Sequence, residues 1–238
     1  MLKIINFTKK YGDKIAVDSL NLEINPGEIC AFIGHNGAGK TTTLKACVGI
    51  LDYEAGDILI DGVSVATDPM YTKSVTAYIP DNPDLYDYLS GIKYLNFIAD
   101  VYGVPAQVRK EKIEHYSARL GLKDDLYERI GSYSHGMKQK LALISAFIRS
   151  PKLILMDEPF VGLDPRASHT LKEMMREHCE AGGAIFFSTH VLDVAERLCD
   201  RVAIIKSGRL VITGDMDTVK GDESLESVFL ELEGEGDA

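Results

Sequence analysis

Long apolar runs are missing from this chain of 238 residues. The longest candidate, Leu141 to Ile148, is far shorter than the roughly 18 consecutive apolar residues of a membrane-spanning helix, so it reads as a buried helix. The opening residues, Met1-Leu2-Lys3-Ile4-Ile5-Asn6, contain no signal-peptide core, and the expected location is cytoplasmic. Cysteine is scarce. Cys30, Cys47, Cys179 and Cys199 form no C-x-x-C pair and no zinc-like cluster. In apolar segments and a reducing compartment they are expected as small buried hydrophobes. The six histidines show no metal spacing. Positive charge is in deficit: 26 Lys and Arg stand against 36 Asp and Glu, a formal net charge of -10. That argues against a large nucleic-acid surface, whose affinity comes mostly from Lys and Arg on phosphates. Internal repeats, low-complexity tracts and linkers are also lacking. The length fits one large domain or two small ones, and a hydrophobic fraction of 45% supplies a substantial core.

What the chain does contain is Gly34-His35-Asn36-Gly37-Ala38-Gly39-Lys40-Thr41-Thr42. It fits G-x-x-x-x-G-K-[ST], a loop that wraps nucleotide phosphates. Glycines let the backbone turn tightly and approach an oxyanion. Successive N–H groups form an anion nest, and the following helix N-terminus adds partial positive charge. Lys40 suits the β/γ-phosphates and the Thr41 hydroxyl suits Mg2+. The flanks agree, with an apolar strand at Glu28 to Ile33 and a helix at Thr43 to Gly49.

Strand alternation covers Leu2 to Phe7 and Leu20 to Ile24, with turns at Tyr11-Gly12-Asp13 and Asn25-Pro26-Gly27. A further strand opens at Glu54-Ala55-Gly56-Asp57 and closes at Asp61-Gly62; another runs from Val75 to Ile79. From about Ser90 to Arg149 the pattern turns helical, with Leu95, Ile98, Ala99 and Tyr102 at helical spacing. Strands at Lys152 to Met156 and Ala184 to Phe187 then alternate with helices at Pro165 to Cys179 and Val191 to Leu198. A hairpin follows, Val202 to Lys206 and Arg209 to Ile212 around Ser207-Gly208. A short terminal helix is expected over Ser224 to Leu230, and a frayed end over Gly234 to Ala238.

The fold class is therefore α/β: a phosphate-loop NTPase core with a mainly parallel sheet, an N-terminal antiparallel β-subdomain and an all-helical insertion. It is expected as a single domain, with its core at about 1–83 and about 151–220. The helical subdomain spans about 84–150 and a short tail about 221–238.

Met156-Asp157-Glu158-Pro159 lies at the end of an apolar strand, where parallel sheets bind ligands. Asp157 is placed to hold Mg2+, directly or through water. Glu158 is placed to polarise a water for in-line attack on a γ-phosphate. Tyr11 offers a flat face to a base. His190 can donate a hydrogen bond to phosphate. Ser134 precedes a long helix, so its hydroxyl and the Gly136 N–H can face an anion.

With these residues in order, the chain resembles the nucleotide-binding subunit of an ATP-binding-cassette (ABC) transporter over nearly its whole length. The resemblance implies ATP and Mg2+ as ligands and ATP hydrolysis as the activity. It implies that Tyr11 stacks on adenine and that Gly34 through Thr42 cradle the phosphates. It implies Lys40, Glu158 and His190 as catalytic residues, and Thr41, Asp157 and Asp81 at the metal. Tyr133-Ser134-His135-Gly136-Met137 occupies the place of the family signature LSGGQ. In the family that signature completes the site of a second subunit, so Ser134, His135 and Gly136 would touch ATP in trans. Gly162-Leu163-Asp164 resembles the D-loop, with Asp164 at the interface.

Two features depart from the family pattern. His135 and Met137 replace glycine and glutamine, although Ser134 and Gly136 are kept. Asp81 stands where glutamine is usual; it can reach Mg2+ or its water shell, or it can be a turn aspartate before Asn82-Pro83.

The signature and the tail are similar to those of single-domain subunits of bacterial exporter-type systems. The implied partners are a separate transmembrane permease and a second nucleotide-binding subunit, identical or homologous, and not nucleic acid. The implied location is peripheral, on the cytosolic face of the membrane. The alternative is a soluble ABC ATPase acting on nucleic acid or ribosomes. Against it, the chain has no sustained heptads between the phosphate loop and the signature, and only one set of motifs.

Overall fold

The computed structural model describes residues 1–234. Alternating apolar and polar residues build the first layer. β1 (Leu2–Tyr11) pairs antiparallel with β2 (Lys14–Ile24) and, on its other edge, with β4 (Ala55–Ile60), which turns back into β5 (Val63–Ser64). The first hairpin is longer than the sequence pattern suggests. Flanked on both edges, β1 keeps its ladder as far as Tyr11 opposite Lys14, and Gly12 makes the turn at φ 59°.

Nearly continuous apolar strands build the second layer. β3 (Ile29–Ile33), β7 (Leu153–Asp157) and β8 (Ala184–Thr189) are buried at every residue. With β6 (Thr76–Ile79), β9 (Arg201–Lys206) and β10 (Arg209–Asp215) they form a six-stranded sheet of order β10-β9-β3-β8-β7-β6. All neighbours are parallel except β10, which returns antiparallel through Ser207-Gly208. Strand residues alternate between faces, so Ile29, Ala31 and Ile33 enter one core while Cys30 and Phe32 enter another.

The first core packs on α5 (His135–Phe147) and α6 (Pro165–Glu180); the second packs on α1 (Lys40–Cys47) and the antiparallel sheet. Both faces of the parallel sheet are thus covered, and all four cysteines are buried.

Between β6 and β7 the chain is helical: α3 (Gly91–Val101), α4 (Ala106–Arg119), a 3₁₀ turn (Ile130–Ser132) and α5. Gly103 at φ 64° and Pro105 separate α3 from α4, as expected.

Some helices escaped the sequence reading. α2 (Pro69–Val75) buries only Thr72, so it has no apolar stripe to detect. Its signal was the cap, with Asp68 accepting from Tyr71 N–H at 3.0 Å and Pro69 in the first turn. α8 (Met216–Lys220) was missed for its brevity. α7 (Leu192–Leu198) follows β8, and α9 (Leu225–Gly234) extends the expected terminal helix. The expected frayed end falls mostly on 235–238, outside the described residues. Among the described residues, no helix is long and apolar enough to cross a membrane.

Candidate active site

The glycine loop leaves β3 and enters α1 at the C-terminal edge of the parallel sheet. Two glycines are fixed by close approach. A Cβ on Gly34 would lie 2.4 Å from the Ile205 carbonyl, and one on Gly39 would lie 2.8 Å from that of Ala16. Gly39, at φ 113°, also serves as the N-cap of α1 and supplies no capping side chain. The first-turn amides of α1 are therefore left for an anion. Gly208 N–H donates to Ala38 O at 3.0 Å and pins the loop from behind.

Lys40 is only 6% exposed, and its Nζ donates to the carbonyls of Gly34 at 2.5 Å and His35 at 3.3 Å. Burial pushes the ammonium below its ordinary value, while Glu158 and Asp157 hold it up. A buried cation satisfied by two carbonyls is well suited to receive a polyphosphate.

Beside it, Thr41 Oγ1 donates to Asp157 Oδ2 at 2.6 Å. Asp157 ends β7 and is 3% exposed; its other oxygen, Oδ1, accepts from Ser188 Oγ at 2.5 Å. Glu158 leaves the strand in left-handed backbone, φ 47°, with its N–H on Ser188 Oγ at 3.0 Å. Its carboxylate reaches back to His190, Oε2 to Nδ1, at 3.0 Å.

A cleft of about 320 Å³ is lined by His35 to Gly37, Gly39 to Thr42, Tyr11, Asp81, Asp157 and Glu158; His190 is not on its lining and meets it only through Glu158. Tyr11 is a half-exposed lining residue at 51%, with Lys9 Nζ 5.4 Å from its ring centroid. Asp81 therefore sits on the cleft wall rather than in a remote turn. A larger groove of about 610 Å³ between α3 and α4 contains none of these residues.

The donor set fits Mg2+ bound together with a nucleotide. The Thr41 hydroxyl and the carboxylates of Asp157, Asp81 and Glu158 face the cleft, and among the described residues no group of three or more His, Cys, Asp or Glu is arranged to hold a metal by itself. Mg2+ keeps several waters and completes its shell with substrate phosphate oxygens rather than an all-protein cage.

Ser134, His135, Gly136 and Asp164 do not line the cleft. Ser134 caps α5, accepting from Met137 N–H at 3.3 Å. A Cβ on Gly162, at φ 77°, would come within 2.5 Å of the His135 ring, and one on Gly136 would come within 2.5 Å of the Gly162 carbonyl. The two motifs thus pack against each other, which gives His135 a seat of its own. Asp164 caps α6 through Ala167 N–H at 2.8 Å and pairs with Lys140 at 2.7 Å. Lys140, and then the helix amide, hold its carboxyl below the usual range.

Sequence reading missed Ser188, which ties Asp157 to Glu158. Its signal was weak, a serine two residues before His190 at a strand end. Lys14 and Ala16, which also line the cleft, carried no signal because β2 approaches the loop only in the tertiary structure.

Residues 17–161 match the family described as ABC transporter. The chain is 37% identical over 230 residues to the ABC transporter ATP-binding protein YhcH of Bacillus subtilis (strain 168), covering 95% of this chain and 72% of that one. It is 32% identical over 237 residues to the ABC-type transporter ATP-binding protein EcsA of the same organism, covering 98% and 96%. A solved ATP-binding subunit of an ABC transporter superposes with a TM-score of 0.94 at 34% identity, covering 98% of this chain and 99% of that one.

Proposed function

The chain belongs to the ABC transporter family, and from that membership we propose that it binds ATP with Mg2+, hydrolyses the γ-phosphate bond, and so powers export through a separate transmembrane subunit. The observation that carries the reading is the Thr41–Asp157 hydrogen bond in a cleft that Glu158 and the glycine loop both line, with Glu158 held by His190 at 3.0 Å.

Each group has a role suited to its position. The loop amides and Lys40 bind the β- and γ-phosphates, and Tyr11 stacks on the base. Thr41 and Asp157, with Asp81 on the cleft wall, would hold Mg2+, which when bound neutralises charge on the phosphate oxygens. Glu158 accepts a proton from the attacking water as its oxygen bonds to the γ-phosphorus and the bridging P–O bond breaks. His190, whose side chain is 59% exposed, keeps the Glu158 carboxylate aimed and donates to the γ-phosphate.

Ser134, His135 and Gly136 lie off this cleft. Their position supports a head-to-tail dimer in which each signature caps the partner's ATP, with Asp164 at the interface. ATP then acts as the adhesive between the two subunits, and its hydrolysis releases the closed form.

Docking on a membrane partner is supported by exposed aromatic and apolar residues at the start of the helical segment: Tyr88 at 74%, Phe97 at 44% and Val101 at 61%. A neighbouring cavity of about 330 Å³ is lined by residues including Thr76, Tyr78 and Arg149. Buried polar atoms of all three lack partners among the described residues.

The test is a pair of variants run on gel filtration with ATP and Mg2+. Glu158→Gln is expected to lose about 10² to 10⁴ in turnover, to keep ATP binding and to accumulate as a dimer. Lys40→Ala is expected to lose binding or turnover and stay monomeric. Equal monomer populations in the two variants would refute the sandwich.

A further inference from the structure

The C-terminal helix meets the phosphate loop, a contact that no step of the proposed cycle uses. Leu225 and Phe229 lie one turn apart on the inner face of α9, 0% and 9% exposed, so an apolar stripe seats the helix in the main core. The Phe229 ring then stands edge-on to the His35 ring, with centroids 5.2 Å apart and planes at 62°. His35 directly follows Gly34 in the loop. Toward the end of the helix, Leu232 O accepts from Lys206 Nζ at 2.8 Å. Lys206 ends β9 next to Ile205, whose carbonyl presses on Gly34. The loop is thus held on its outer side by the β9–β10 turn and α9 together.

The start of α9 is tied to a different segment. Leu225 N–H donates to Glu196 Oε2 at 3.0 Å, and Lys220 Nζ reaches the same carboxylate at 3.0 Å. Glu196 belongs to α7, which begins two residues after His190. One short helix therefore touches the phosphate loop and the helix that follows the His190 segment.

We propose that α9 braces the nucleotide site, with Phe229 as a positioning residue that holds His35 and the outer rim of the phosphate loop ready for ATP. The proposal rests on the reading that this loop binds ATP. A glycine-rich loop is costly to order, and fixing it beforehand leaves less ordering to be done on binding. By linkage, ATP then tightens the seat of α9 by the same factor by which α9 raises ATP affinity.

The test is a double-mutant cycle on the full chain, with the dissociation constant for ATP and Mg2+ read by titration calorimetry. His35→Ala and Phe229→Ala are each expected to weaken binding about three- to tenfold, the range of one aromatic pair. The double variant should be no weaker than the worse single one, because both remove the same contact. Phe229→Leu keeps the core seat filled and guards against misfolding; it is expected to weaken binding about threefold. Amide exchange across α9 should slow when ATP is added to the parent but not to His35→Ala. Additive effects in the cycle, parental affinity in a folded Phe229→Leu, or α9 exchange indifferent to ATP would each overturn the brace. A parent chain that bound no ATP would instead bring down the underlying reading and the brace with it.

Discussion

Replacing Ser188 with alanine removes one oxygen and almost no volume, so the change isolates hydrogen bonding from packing. Ser188 is fully buried on β8, in register with Asp157 on β7. Its Oγ donates to Asp157 Oδ1 at 2.5 Å and accepts from Glu158 N–H at 3.0 Å. Alanine leaves one part-buried amide without an acceptor and one buried carboxylate oxygen short of a donor. Each such loss costs about 1–3 kcal/mol. Thr41 still serves the other Asp157 oxygen, which keeps the expected total to about 2–4 kcal/mol, a large share of the roughly 5–15 kcal/mol that stabilises a domain.

Activity should suffer too. Glu158 sits at φ 47°, a conformation that costs a side-chain-bearing residue about 1–3 kcal/mol and persists only where neighbours enforce it. Without the Ser188 bond the carboxylate wanders. We expect kcat to fall about ten- to hundredfold while KM for ATP moves less than about threefold, because Lys40 and the glycine loop are untouched. Urea denaturation without nucleotide and steady-state phosphate release on the same preparation measure both effects. A stability loss below about 0.5 kcal/mol with kcat within about twofold of the parent would refute the reasoning, since Ser188 would then hold neither carboxylate in place.

Other outcomes follow from single contacts. His178 is half-buried, with its ring 6.0 Å from Phe147, and its Nε2 lacks a partner among the described residues. Burial lowers its pKa from the ordinary 6.5. The folded state therefore binds fewer protons than the unfolded chain, and this contribution is complete above pH 6.5 and lost as pH falls from there through the folded value. Denaturation midpoints should decline as pH falls below about 6.5, and His178→Phe should flatten that decline; an identical slope in both proteins would exclude His178 as the cause. Gly39→Ala brings a Cβ within 2.8 Å of the Ala16 carbonyl at φ 113°. ATP binding measured by calorimetry should drop by about tenfold or more, and a parental affinity would mean the loop is not fixed as described.

Much of the candidate site's layout could be read from short stretches. The glycine loop, Lys40 and Thr41 are contiguous, and their strand and helix flanks were legible because β3 is an unbroken apolar run and α1 stops before Gly49 at φ 64°. Asp157 and Glu158 were legible for a similar reason, since they end a strand buried at every residue. Elements with little buried surface were not legible. The turn end of the first hairpin, α2 and α8 have no apolar pattern of their own to read, and only α2 carries a side-chain cap.

Local turn chemistry and the two-residue rhythm of strands are written into consecutive residues, so the primary structure alone specified the glycine loop, the buried strands and the position of the Asp157–Glu158 pair. It could not specify which strand lies beside which. Thr41 meets Asp157 across 116 residues, Ser188 reaches Asp157 across 31, and Phe229 finds His35 from the far end of the chain. Those meetings follow from sheet order β9-β3-β8-β7. Parallel neighbours carry their C-terminal ends to one edge, and packing of the whole core, not any single segment, selects that order.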